Sequence, residues 1–245
     1  MILVAAHRGS SGRAPENTMA AFRSAVDDGA DLIELDVRFT RDLHPVVLHD
    51  RTLRRTTGAR DAVDQCSYED IRDLDAGSWF APSFAGERIP RLQTVLELLP
   101  ATLGINIEVK TDGDRRSRTL LVRHLLKTVR PAVKNRTIII SSFDHRFLRA
   151  LRRVDSAIPL GILIHPVRDL ARRPSRLALR LRAKYIFCSR SFLRRAIVEA
   201  AHARGITIGV YTVNRVENLD RLCRFGVDLV FTNFPTAIRA ALREA

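Results

Sequence analysis

Leu32-Ile33-Glu34-Leu35-Asp36-Val37 is the stretch on which the fold turns. Ile33, Leu35 and Val37 give one apolar face, while Leu32, Glu34 and Asp36 share the other, because side chains alternate along a strand. Working outward, short β-branched runs recur at 2–6, 105–109, 137–142, 160–164, 185–188, 207–213 and 229–232, which with 32–37 makes eight buried-type strands. Amphipathic segments fill the intervals. The first has Asn17 or Thr18 as N-cap, Met19, Phe22, Ala25 and Val26 on one face, and Gly29 as its stop. Others fall at 115–129, 145–153, 191–204, 216–224 and 235–242.

Strand and helix in alternation demand parallel strands joined by right-handed crossovers. Eight such units fit an α/β chain closed as a (β/α)8 TIM barrel better than an open doubly wound sheet, which periodicity alone leaves open. Residues 51–103 break the rhythm and read as an insertion after the second strand, standing over one barrel end, with helical stretches at 67–74 and 92–99. Its Trp79, Phe80 and Phe84 read as a small satellite core. With 245 residues, 46% of them hydrophobic, and no low-complexity stretch, the expectation is one domain over 1–245.

Composition narrows the setting. The longest apolar runs are far shorter than the roughly 20 residues that span a bilayer. The segment before His7 already reads as a strand, so no leader is expected. Cys66, Cys188 and Cys223 are odd in number and lack zinc or redox spacing, which points to free thiols in a cytoplasmic protein. The net charge is +14, and 14 of the 41 Lys and Arg residues lie in 146–195 against only Asp155 and Asp169. On outer barrel helices, Arg149, Arg152, Arg153, Arg172, Arg173, Arg176 and Arg180 would form a positive face, either merely solvated or in peripheral contact with an anionic membrane at its inner face. A nucleic-acid-binding protein is the rival from another class, but no recognition motif or interleaved aromatic pattern accompanies the charge, so no nucleic acid is expected.

The chemistry lies elsewhere. Glu34 and Asp36 point to one side of their strand, and an acid pair inside a barrel is costly unless a cation sits with it. Glu108 and Lys110 repeat the spacing on the neighbouring barrel strand, at the C-terminal end where barrel enzymes keep their sites. A hairpin centred between Asp42 and Leu43 would bring His49 opposite Asp36, and His7 ends the first strand beside Arg8. Taken singly, any of these reads as an ordinary polar residue at a strand end. Together, three carboxylates suit one hard divalent cation, Mg2+ or Ca2+. Arg8 and Lys110 suit the phosphate of a small-molecule phosphodiester substrate, and the two histidines suit acid and base work near pH 7.

The strings His7-Arg8-Gly9, Pro15-Glu16-Asn17-Thr18, Glu34-Leu35-Asp36-Val37, Val47-Leu48-His49-Asp50, Asp75-Ala76-Gly77-Ser78-Trp79-Phe80, Ile89-Pro90-Arg91-Leu92, Ile107-Glu108-Val109-Lys110, Ser142-Phe143 and Tyr211-Thr212-Val213-Asn214 resemble, almost end to end, the glycerophosphodiester phosphodiesterase family. The resemblance implies a (β/α)8 barrel that hydrolyses glycerophosphodiesters to an alcohol and glycerol 3-phosphate. It implies His7 and His49 as acid and base, Glu34, Asp36 and Glu108 as metal ligands, and Arg8 and Lys110 as phosphate contacts. A lipid-directed relative, a lysophospholipase D or a phospholipase, would use the same groups. Glu16 is expected to hydrogen-bond in the site, with Asn17 as the helix cap. Tyr211 stands where the family commonly has Trp, with an expected effect on the pocket for the alcohol. Asn233 stands where Asp is common, with an expected effect on the closing turn.

Overall fold

A computed structural model of the protein describes residues 2–165, 167–169 and 173–244. The strands are β1 (Leu3–His7), β2 (Leu32–Phe39), β3 (Pro45–Val47), β4 (Gly104–Val109), β5 (Ile138–Ser142), β6 (Leu160–Ile164), β7 (Tyr185–Ser189), β8 (Thr207–Tyr211) and β9 (Leu229–Thr232). All but β3 run parallel in the order β1-β2-β4-β5-β6-β7-β8-β9, and β9 pairs back onto β1. The sheet is therefore closed, which leaves no edge among those eight strands and excludes the open alternative.

The helices are α1 (Met19–Asp27), α2 (Arg54–Thr57), α3 (Tyr68–Ile71), α4 (Leu92–Leu98), α5 (Arg118–Val133), α6 (His145–Val154), α7 (Pro174–Leu181), α8 (Arg195–His202), α9 (Leu219–Phe225) and α10 (Pro235–Glu244). Their apolar stripes pack on the outward side chains of the barrel in one continuous core that includes Phe22, Ile33, Leu35, Leu125, Phe147 and Ile208. A second, inner core fills the barrel with Ala5, Leu32, Ile139, Leu163, Phe187, Leu229 and Phe231. Phe187 meets Phe231 edge to face at 4.9 Å. The Phe187 ring needs the bare backbones of Gly161 and Gly209, since a Cβ there would lie 2.5 and 2.7 Å from it. This apolar plug forms the floor on which the polar mouth rests.

The second βα unit carries the insertion. It has its own aliphatic core, Val46, Leu48, Leu53, Val63, Ile71, Ala76 and Ile89. The expected aromatic core is not what holds it. Trp79, Phe80 and Phe84 form an edge-to-face row at 5.8 and 5.6 Å near the surface, with Trp79 41% exposed. Asp75 ties the adjoining loop, accepting from the N–H groups of Ser78, Gly86 and Gly77, and these bonds hold its carboxyl below the usual range.

Two further expectations need correction. The β2–β3 ladder pairs Val37 with Val47 and Phe39 with Pro45, one residue out of the expected register, so Asp36 lies opposite Leu48. Leu43 adopts a left-handed φ of 66° and closes a three-residue loop whose centre is Asp42. On the outer helices, Arg152 is not free to meet a surface. Its guanidinium donates to the carbonyls of Leu181, Asp155, Ser156, Ile158 and Arg182, tying the ends of α6 and α7 together. Arg149, Arg153, Arg173, Arg176 and Arg180 are exposed, and Arg172 lies outside the described residues. Among the described residues no helix is long and apolar enough to cross a membrane.

Candidate active site

Barrel register makes the site. His7 is the partner of Glu34 across β1 and β2, and Asp36 is the partner of Glu108 across β2 and β4. Parallel pairing in register thus brings a histidine and three carboxylates to one mouth. One oxygen from each of Glu34, Asp36 and Glu108 lies within 4.8 Å of the others, and all three residues are buried. Lys110, one residue beyond β4, reaches back to pair with Glu108 and with Asp36 at 3.1 Å.

The environment sorts these acids. Burial alone would raise Asp36, but Lys110 and Arg8 outweigh it and hold the carboxyl well below the usual range. Burial raises Glu34 well above that range, with Asp36 and Glu108 adding repulsion. Glu108 is raised as well, by burial against the pull of Lys110. The site therefore carries more buried negative charge than Lys110 and Arg8 relieve. The buried Asn106 Oδ1 in the wall of the mouth accepts no hydrogen bond. An unpartnered oxygen beside clustered carboxylates fits a hard divalent cation, with Glu34, Asp36 and Glu108 as its donors.

The turn after β1 is shaped for this site. Arg8 has a left-handed φ of 59°, its N–H donates to Glu34 at 2.9 Å, and its side chain meets Asp36 at 3.1 Å. Gly9, at φ 79°, passes so near Ala21 that a Cβ would lie 2.6 Å from backbone atoms. The helix cap is Thr18, which accepts from Ala21 N–H at 3.3 Å. Asn17 instead, also at φ 59°, donates to Asp36 Oδ2 at 2.9 Å and accepts its N–H at 3.2 Å. Its side chain fixes the most buried acid of the cluster.

The two histidines have unlike partners. His7 Nδ1 lies 2.8 Å from Asn233 Oδ1, an acceptor only, so that ring nitrogen carries the proton and Nε2 keeps its lone pair. Asn233 thus acts on His7, beyond shaping the closing turn. Burial, with Arg8 adding to it, pushes His7 down to about 4, so it is neutral at pH 7. His49 stands just past the β3 ladder and meets a carboxylate, Asp50, at 2.7 Å. Burial lowers His49 too, with Asp36 and Asp50 opposing it.

Arg55, in the insertion helix α2, joins the two sides. It donates to Asp50 at 2.6 Å and to both oxygens of Glu16 at 2.7 and 3.0 Å, and Glu16 accepts from Arg8 at 2.9 Å. Glu16 therefore stands behind Arg8 as a positioning group, with both oxygens engaged. The mouth itself is a cavity of about 220 Å³ whose wall includes His7, Arg8, Glu34, His49, Glu108, Lys110 and Tyr211. The Tyr211 ring packs edge-on against Phe143 at 6.3 Å, and its hydroxyl donates to the Ile164 carbonyl at 3.1 Å. The sequence did not point to Arg55 or Asn106, nor to the roles of Asn17 and Asn233.

Residues 7–237 match the model of the glycerophosphoryl diester phosphodiesterase family. The chain belongs to that family. It is thereby a phosphodiesterase. It is 37% identical over 247 residues to a glycerophosphodiester phosphodiesterase of Caldanaerobacter subterraneus, covering 99% of this chain and 98% of the relative. Human lysophospholipase D GDPD1 is 28% identical over 97% of this chain and 85% of its own length. Among solved structures, the Oleispira antarctica phosphodiesterase in complex with the product sn-glycerol-3-phosphate has a TM-score of 0.89 at 28% identity, covering 98% of this chain and 96% of that one.

Proposed function

We propose that the chain hydrolyses glycerophosphodiesters to an alcohol and glycerol 3-phosphate. The observation that carries this is the convergence of three buried carboxylates, Arg8, Lys110 and two differently partnered histidines on one small cavity. A divalent cation held by Glu34, Asp36 and Glu108 would draw charge from the phosphoryl oxygens when bound. Arg8 and Lys110 bind the remaining phosphate charge and fix its orientation. His7, neutral with Nε2 free, takes a proton from the attacking water as its oxygen bonds to phosphorus. The bond from phosphorus to the alcohol oxygen breaks, and His49, whose protonated form Asp50 supports, gives the leaving oxygen a proton.

The volume of about 220 Å³ favours a glycerol phosphate over a lysolipid with its acyl chain. The test is an assay of purified protein with Mg2+ or Ca2+ against glycerophosphocholine, glycerophosphoethanolamine and lysophosphatidylcholine. The expected result is glycerol 3-phosphate released from the first two. Turnover confined to the lysolipid would move the assignment to a lysophospholipase D. The three free cysteines support a reducing, cytoplasmic setting.

Contact with anionic lipid is a separate reading. It rests on exposed Arg149, Arg153, Arg173, Arg176 and Arg180 with Val154 and Leu179, 42% and 50% exposed, among them. Phosphatidylserine vesicles should then carry the protein down on centrifugation at low salt and release it at high salt. Failure to sediment at low salt, or sedimentation unchanged when Arg173, Arg176 and Arg180 become Gln, ends this reading.

A further inference from the structure

Beside the mouth lies a larger cavity of about 670 Å³, and the two share Glu108, Lys110 and Phe143 in their walls. A diester whose phosphate sits on Lys110 has two arms. The smaller cavity suits the glycerol arm, which leaves the larger one for the alcohol that departs.

The wall of this second cavity holds four acids and four Lys or Arg residues, but their pairing is uneven. Its carboxylates are already engaged. Asp112 holds Arg38 at 3.0 and 3.1 Å, and Asp114 holds Arg116 at 2.7 Å. Asp144 accepts from Thr111 and Arg118, each at 2.7 Å, and also caps α6 through the N–H groups of Arg146 and Phe147. Two arginines in the wall are left with donors to spare. The exposed Arg146 guanidinium has no hydrogen bond or ion pair among the described residues. Arg168 is steadied at the rim by one bond to the Phe143 carbonyl at 2.8 Å and lies 3.7 Å from Asp169. A quaternary ammonium, by contrast, is best held by a cage of aromatic faces, and Phe143 is the sole aromatic ring in this wall apart from His145.

We infer that this cavity is the subsite for the leaving alcohol and that it selects alcohols carrying an anionic group of their own, such as a second phosphate, bound by Arg146 and Arg168. The inference rests on the phosphodiesterase reading above and extends it to substrate class. A phosphate offers three acceptor oxygens to the planar forks of two arginines, and neither arginine must first give up a carboxylate in the cavity wall.

The matched pair glycerophosphoinositol and glycerophosphoinositol 4-phosphate tests it, because the two differ only in the second phosphate. With the full chain and Mg2+, kcat/KM should be about tenfold or more higher for the phosphorylated diester, through KM rather than kcat. R146Q and R168Q should each cut that preference about three- to tenfold, and the double variant should bring it near one. R123Q, an equal change of charge at an exposed position on α5, should leave the preference where it was. Calorimetric binding of both diesters to the His49→Ala protein reads the subsite without turnover. If neither diester is hydrolysed, the catalytic reading fails, and the ratio of the two binding constants still decides the subsite. A preference at or below one in either measurement, or one that R146Q and R168Q do not change, overturns the proposal.

Discussion

Changing His7 to Ala should lower kcat by about 10²- to 10⁴-fold, the range for loss of a positioned general base, while the protein still unfolds cooperatively. His7 is at the end of β1, beside the mouth rather than in the apolar plug, so the barrel cores keep all their members. The ring is set for one task. Asn233 accepts from Nδ1, burial keeps the imidazole neutral, and Nε2 is left as the free base. His49→Ala should cost a similar factor, and the double variant should be little worse than either single one, because the two residues serve one displacement. Asn233→Leu tests how His7 is held: with the acceptor gone and the volume nearly kept, kcat should fall about tenfold or more with KM little changed. Near-normal turnover in either histidine variant would refute the assignment of base and acid.

The strands of the barrel could be read because buried β-branched runs are short and bounded, and all eight predicted runs overlap observed strands. The acids and Lys110 could be read because spacing of two on a strand fixes the face, and parallel register then sets Asp36 beside Glu108. The hairpin register could not. One left-handed residue, Leu43, lengthens the loop and shifts every pair by one, and apolar patterning does not see a single φ. His49 reaches the cavity wall from beyond the ladder rather than through it. Asn17 shows a competition between local and distant bonds. Beside Thr18 it reads as a cap, yet its amide is spent on Asp36, 19 positions away. Glu16 is 39 positions from Arg55 and His7 is 226 from Asn233, and neither Arg55 nor Asn233 has a local pattern that announces such a contact. The residues that hold the chemistry in place are thus harder to read than those that perform it.

Removing divalent metal should abolish hydrolysis, and adding back Mg2+ or Ca2+ should restore it. The physical case begins with charge. Three buried carboxylates stand within one ligand sphere, Lys110 is shared between Asp36 and Glu108 and Arg8 between Asp36 and Glu16, and Glu34 and Glu108 are left with raised proton affinity. A bound cation would relieve that repulsion in the folded chain and not in the unfolded one. It should therefore stabilise the protein by about 2.7 kcal/mol at a metal concentration of about 100 Kd, a rise of roughly 5–10 °C in Tm for a chain of this size. Glu34→Gln and Glu108→Gln should each shrink that rise, because each removes an anionic donor. Asp36→Ala should act differently, destabilising the metal-free protein by about 1–3 kcal/mol, since it takes one carboxylate partner from each of Lys110 and Arg8, which keep only Glu108 and Glu16. The two effects separate the roles: Glu34 answers chiefly to the cation, while Asp36 and Glu108 answer to the cation and to the protein's own bases. Full turnover after exhaustive chelation, with metal content verified as nil, would remove the cation from this account. A Tm indifferent to Mg2+ and Ca2+ would leave the three acids without the counter-charge that their burial demands.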